Sequence, residues 1–237
     1  MKRVLNVAHR GIPSLYPENT LIGFRKAAEL NVDMIELDIH RSRDGVIVVI
    51  HDHELDRTTD GAGKVAELSS TELKSFSAGR RYAEEFAAER IPFLSEVFEL
   101  LAEGGPPLRI EIKQPGIESD LISLIARHKM ETRVVCSFFH LPAALAVRRI
   151  APRIPVAAIF SRAAEIDFPA LLAEGISMVD VAFGEVDERF LSRAHAQGIT
   201  VTAWTVDEKE DMRRMIRLGV DGITTNRPQD LKDVILS

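Results

Sequence analysis

Residues 108–138 read LRIEIKQPGIESDLISLIARHKMETRVVCSF, and this stretch decides the fold. LRIEIK (108–113) is a short β-rich run, ESDLISLIARH (118–128) is helical in pattern, and RVVCSF (133–138) is β-rich again. A strand, a helix and a second strand with short connections form the repeating unit of a parallel sheet with helical crossovers. Working outward, the unit recurs nearly from end to end. VLNVA (4–8) and VDMIELDI (32–39) come before it, while IPVAAIF (154–160), MVDVAF (178–183), ITVTAW (199–204) and VDGITT (220–225) come after. Helices are predicted over 19–30, 95–104, 141–150, 167–174, 187–197, 207–217 and 229–235. Eight strand–helix units imply closure into a (β/α)8 TIM barrel. An open doubly wound sheet has fewer units and a glycine-rich first turn, whereas the first turn here, HRGIPSLYPENT (9–20), has no G-x-G-x-x-G. The 237 residues suit one such barrel, so a single domain over 1–237 is expected.

Two places break the pattern. In RSRDGVIVV (41–49), Asp44-Gly45 between β-rich runs signals a hairpin. The segment from about 52 to 92 is polar and irregular, with a short helix near 69–76. An insertion of this length is unusual and often functional, and it would sit beside the barrel mouth.

Composition narrows the function classes. Hydrophobic residues make up 46% and charged residues 28%, as in a soluble globular protein. A net charge of −6 argues against a nucleic-acid partner. The lone Cys136 excludes an internal disulfide and suits a reducing compartment. The apolar stretch after Lys2 and Arg3 is too short for a signal-peptide core, and no run approaches a membrane span. A cytoplasmic protein with no membrane anchor is expected; whether it forms a homo-oligomer is left open.

Barrel active sites lie at the C-terminal ends of the strands. His9 and Arg10 end the first strand, Glu36 and Asp38 the second, Glu111 and Lys113 the third, Trp204 the seventh and Asn226 the eighth. Residues two apart on a strand share a face, so three carboxylates would point into one mouth. They would repel one another without a cation, and hard divalent cations prefer such oxygen ligands. A two-residue turn at Asp44-Gly45 would set Asp38 opposite His51 and return that histidine to the cluster. His9 and His51 could then supply the base and the acid of a phosphodiester displacement. His40 is a rim candidate. Asn19 reads as the N-cap of the first helix. Arg57–Thr59 read as residues that order the insertion, and Ser137 and Phe138 as pocket or barrel filling.

The ordered motifs resemble the glycerophosphodiester phosphodiesterase family. They are HRG (9–11), PENT (17–20), E-x-D (36–38), HD (51–52), LDRTTDGAG (55–63), EIK (111–113), AWTV (203–206) and DGITTNRP (221–228). The resemblance implies metal-dependent hydrolysis of glycerophosphodiesters to sn-glycerol 3-phosphate and an alcohol. It implies His9 and His51 as the acid/base pair and Glu36, Asp38 and Glu111 as ligands of one divalent cation, Mg2+ or Ca2+. Arg10 and Lys113 would bind phosphate, and Trp204 would line the glycerol side. The expected partner is thus a small-molecule glycerophosphodiester. The family's last strand often ends in Thr-Asp, whereas this chain has Thr225-Asn226, so no charged role is carried over to that position. A lipase-type relative would need an apolar approach to the mouth, yet RRYAEEFAAER (80–90) is mostly charged. A non-catalytic phosphate binder would not need every catalytic position filled.

Overall fold

A computed structural model describes residues 3–236. Eight parallel strands close into a barrel: β1 (Leu5–His9), β2 (Met34–Arg41), β4 (Leu108–Ile112), β5 (Val134–Phe138), β6 (Val156–Phe160), β7 (Met178–Ala182), β8 (Thr200–Trp204) and β9 (Gly222–Thr225). β1 pairs with both β2 and β9, which completes the ring. A short strand β3 (Ile47–Val49) adds an antiparallel partner to β2. The helices that return the chain are α1 (Leu21–Glu29), α3 (Leu94–Leu101), α4 (Glu118–Arg127), α5 (Leu141–Ile150), α6 (Phe168–Ala173), α7 (Glu188–Ala196), α8 (Lys209–Leu218) and α9 (Pro228–Leu236). A short helix, α2 (Ser70–Ser75), lies in the insertion. Among the described residues no helix is long and apolar enough to cross a membrane.

Alternation along the strands divides two chemistries. Ile35, Leu37 and Ile39 of β2, Ile110 and Ile112 of β4, and Val179 and Val181 of β7 join the large apolar cluster with the helices. Phe138 belongs to this cluster, so it packs outside the strands rather than in the pocket. The opposite residues belong to the barrel interior. Val7, Met34, Val135 and Ala157 form an apolar floor with Met178 against it. Two residues further along each strand stand His9, Glu36, Ser137, Ile159 and Asp180, which line the cavity at the barrel mouth. Sharing that cavity, Arg109 of β4 meets Asp180 of β7 in an ion pair, with the residues 3% and 5% exposed.

The β2–β3 hairpin departs from the expected register. Ile39 faces Val49 and Arg41 faces Ile47, while the Ser42 N–H donates to the Val46 carbonyl at 2.9 Å. The loop is therefore Arg43, Asp44 and Gly45, with Gly45 in the left-handed region at φ +88. A left-handed third residue gives a three-residue loop, and the added residue slips the ladder by one. Asp38 faces Ile50, whose N–H it accepts at 3.0 Å through its carbonyl. His51 follows the last of these bonds, so its place in the cavity comes from the chain leaving the ladder, not from a face shared with Asp38.

After His51 the insertion folds onto the far side of β3. Leu55, Val65, Leu73, Ala78 and Ile91 pack with Val48 and Ile50 in a small core of their own. The chain rejoins the barrel where the Val49 N–H donates to the Pro92 carbonyl at 2.8 Å.

Breaking a buried ion pair by removing one partner leaves an uncompensated charge. The Asp180→Ala variant is therefore expected to lose about 3–5 kcal/mol of stability. Urea unfolding followed by circular dichroism checks this, and a midpoint unchanged from wild type would show that Arg109 does not depend on Asp180.

Candidate active site

The centre of the mouth is acidic. Asp38 and Glu111 are register partners on β2 and β4, and Glu36 lies two residues before Asp38. One oxygen from each of the three carboxylates lies within 4.8 Å of the others. All three residues are buried, Asp38 completely. Asp38 Oδ2 accepts from Asn19 Nδ2 at 2.9 Å and pairs with Arg10 Nε at 3.1 Å. Lys113 Nζ lies 3.2 Å from Asp38 Oδ1 and also contacts Glu111 Oε1. Glu36 Oε2 accepts the Arg10 N–H at 3.0 Å.

Arg10 and Lys113 offset two of the three negative charges and leave one over. Burial, then the charges of Asp38 and Glu111, push Glu36 well above the usual carboxylate range. Burial and Asp38 likewise push Glu111 up to about 7. Burial acts on Asp38 in the same direction, but Arg10 and Lys113 outweigh it and hold Asp38 low. Glu36 Oε1 and Asp38 Oδ1 are buried without a hydrogen bond; Lys113 meets Asp38 Oδ1 only as an ion pair. Orphaned carboxylate oxygens are costly in an interior, and an oxygen-only donor set with surplus negative charge fits a hard divalent cation.

Two imidazoles flank this cluster, each tethered through Nδ1. His9 Nδ1 lies 2.7 Å from Asn226 Oδ1, and its Nε2 is 3.9 Å from Glu36 Oε2. Burial, then the Arg10 charge, pushes His9 down to about 4. His51 Nδ1 lies 2.5 Å from Asp52 Oδ1. Burial lowers His51 too, while the Asp38 charge and the Asp52 contact act against it. Both rings line the mouth cavity with Arg10, Glu36, Glu111 and Lys113.

The PENT motif works differently from a simple helix start. Thr20, not Asn19, caps α1 by accepting from the Gly23 N–H. Asn19 is 4% exposed and left-handed at φ 54, an uncommon conformation that asparagine tolerates, and it turns its amide to Asp38. Glu18 accepts from Arg10 Nη1 at 2.9 Å and from both terminal nitrogens of Arg57 at 2.8 Å. Arg57 also donates to Asp52, at 2.6 and 3.1 Å. A continuous charged chain thus runs from His51 through Asp52, Arg57 and Glu18 to Arg10. Arg57 orders the insertion by tying it to the site.

His40 is no rim residue. It is 2% exposed, its Nε2 lies 3.0 Å from the His51 carbonyl, and its ring packs edge-on to His53. Trp204 and Phe139 meet edge to face, with centroids 5.6 Å apart, and form an aromatic wall of the cavity. Ser137 also lines that cavity. Glu18, Asn19, Asp52, Arg57, Asp207 and Asn226 bear on the site through partners that local patterning does not show. PENT and HD were visible as motifs, but no periodicity assigns their contacts.

A (β/α)8 barrel whose mouth gathers three buried carboxylates, Arg10, Lys113 and two tethered imidazoles is the frame of a phosphate-ester hydrolase. Residues 9–230 match the glycerophosphoryl diester phosphodiesterase family, and the chain belongs to that family. It is 40% identical to a glycerophosphodiester phosphodiesterase of Caldanaerobacter subterraneus, over 98% of each chain. It is 34% identical to one from Bacillus altitudinis, over 93% of this chain and 94% of that one. An Oleispira antarctica phosphodiesterase, solved with its product sn-glycerol-3-phosphate, superposes with a TM-score of 0.92 at 27% identity, covering 98% of this chain and 96% of that one.

A carboxylate must lose its proton to ligate a cation, so binding releases protons. With Glu111 at about 7 and Glu36 also raised, divalent-cation affinity is expected to rise as pH climbs from about 5 to about 8. Titration calorimetry in buffers of different ionisation enthalpy checks this. Binding heats that do not depend on the buffer would contradict it.

Proposed function

We propose that this protein hydrolyses glycerophosphodiesters, releasing sn-glycerol 3-phosphate and an alcohol such as choline or ethanolamine. The observation that carries the reading is the oxygen cluster of Glu36, Asp38 and Glu111 standing between two imidazoles that are both held through Nδ1. A phosphodiester displacement needs negative charge offset at phosphate, a base for the nucleophile and an acid for the leaving oxygen.

In this reading Glu36, Asp38 and Glu111 hold one Mg2+ or Ca2+. When bound, that cation supplies Lewis-acid polarisation of the non-bridging phosphate oxygens. Arg10 and Lys113 bind the phosphate from their positions against Asp38. His9 is backed by a neutral amide and serves as the neutral imidazole. Its Nε2 takes the proton of the attacking hydroxyl, which belongs to water or to the glycerol's own neighbouring carbon; in the second case a cyclic phosphate forms, and water then opens it to sn-glycerol 3-phosphate. His51 is backed by a carboxylate, which favours the imidazolium, and passes its Nε2 proton to the departing alkoxide. Trp204 and Phe139 shield the glycerol carbons from water. The substrate belongs to lipid and glycerol metabolism, and the enzyme works in the cytoplasm. Cys136 suits such a setting as a buried thiol whose burial pushes it up to about 12, where it is inert.

A coupled assay for glycerol 3-phosphate, with glycerophosphocholine and added Mg2+ or Ca2+, tests the reading. The His9→Ala, His51→Ala double variant is expected to lose at least about 10³-fold in kcat, since each proton-transfer group contributes about 10²–10⁴. Circular dichroism should stay unchanged. Full turnover by the folded double variant would sink the proposal.

A further inference from the structure

We infer that Asp207, in the loop after β8, is a positioning residue that acts through Asn226 to set which ring nitrogen of His9 carries the proton. The inference rests on the reading of His9 as the proton acceptor and deepens it. Asp207 and Asn226 lie beyond the C-terminal ends of β8 and β9, and His9 ends β1; these strands are neighbours in the barrel, so the fold brings the three residues together across 217 residues of sequence.

A carboxylate has no proton to give, so the Asn226 side-chain atom facing it must be the amide nitrogen. Asn226 Nδ2 donates to Asp207 Oδ2 at 2.7 Å, and the Asn226 backbone N–H donates to Asp207 Oδ1 at 2.8 Å. Thr225 Oγ1 also donates to Asp207 Oδ1, at 3.0 Å. That hydroxyl accepts the Arg227 N–H at 3.0 Å, which leaves its own proton for the carboxylate. Asp207 therefore holds the Asn226 amide in one of its two flip states.

With its nitrogen committed to Asp207, Asn226 can present only its oxygen to His9. The contact at 2.7 Å then requires a proton on His9 Nδ1. In the neutral ring the second nitrogen is left with a free lone pair, and Nε2 is the atom on the Glu36 side. A neutral amide thus does for His9 what a carboxylate does for His51. It fixes the tautomer without adding charge beside a cluster that already carries three carboxylates.

Exchange of amide and acid gives a sharp test. In Asp207→Asn the Asn226 backbone N–H holds the new side-chain oxygen in the place of Oδ1, so the new amide nitrogen faces Asn226 Nδ2, and this donor–donor conflict is relieved when Asn226 flips. Its nitrogen then donates to His9 Nδ1, and the ring proton moves to Nε2, where it blocks proton acceptance. The double exchange Asp207→Asn, Asn226→Asp restores complementarity, because residue 207 then donates and residue 226 accepts from both sides.

The experiment uses cation-loaded protein with 15N-labelled histidine. Long-range 1H–15N spectra read the His9 tautomer, with the signal assigned by its loss in His9→Gln, and kcat and KM are measured on glycerophosphocholine. Wild type should show Nδ1–H. Asp207→Asn should show Nε2–H with kcat down at least about 10²-fold and KM little changed, since the wrong tautomer of a catalytic histidine costs up to about 10⁴. The double exchange should return Nδ1–H and bring kcat to within about tenfold of wild type. Nδ1–H retained in Asp207→Asn would overturn the inference. So would a switched tautomer with unchanged kcat, or a double exchange as impaired as the single variant. An inactive wild type would instead strike the phosphodiesterase reading, and the spectra would still decide whether Asp207 sets the tautomer.

Discussion

Three carboxylates buried at one barrel mouth repel one another, and much of the surrounding structure answers that repulsion. Barrel geometry creates the problem, because Glu36, Asp38 and Glu111 project inward from adjacent parallel strands. Arg10 and Lys113 are the first answer, both drawn against Asp38. Their charges suffice to keep Asp38 low but leave Glu36 and Glu111 raised. The residual negative charge suits the mouth to a cation rather than to a closed ion-pair network. At the edge of the cluster burial lowers both imidazoles, while the Asp38 charge acts against it.

The supports of the two histidines differ in a way that matters for their roles. His51 leans on Asp52, which Arg57 and Glu18 tie to Arg10, so the insertion and the first βα loop are locked together around the cavity. His40 holds the carbonyl of the same histidine from the hairpin side. His9 instead leans on an amide whose orientation is fixed from the next loop. Paired titratable groups in different environments are how one site holds an acid and a base at a single pH.

The fold was legible because its signals are local. Strand period, helix spacing and the rhythm of eight units need no knowledge of distant contacts, and the strand-end rule alone gathers His9, Glu36, Asp38 and Glu111. What could not be read depends on partners far apart or on one backbone angle. The hairpin register turned on Gly45 taking the left-handed conformation in a three-residue loop, which a dipeptide motif does not distinguish from a two-residue turn. Asn19 and Thr20 are both good capping residues, and only the fold shows that Thr20 caps while Asn19 serves Asp38. The Arg57–Glu18 pair spans 39 residues, from the first βα loop to the start of the insertion, and no periodicity connects them. Asn226 was visible as a strand end, yet its use depends on Asp207 from another loop.

In the proposed function the three-carboxylate cluster is the catalytic centre and works with a bound divalent cation. The most direct test strips the enzyme with a chelator, restores Mg2+ or Ca2+ stepwise, and follows glycerol 3-phosphate release by wild type and by Asp38→Asn. Turnover should vanish on chelation, return saturably in wild type, and stay at least about 10²-fold lower in the variant at every cation concentration. Full turnover by the chelated wild-type enzyme, or an Asp38→Asn variant that responds like wild type, would contradict it.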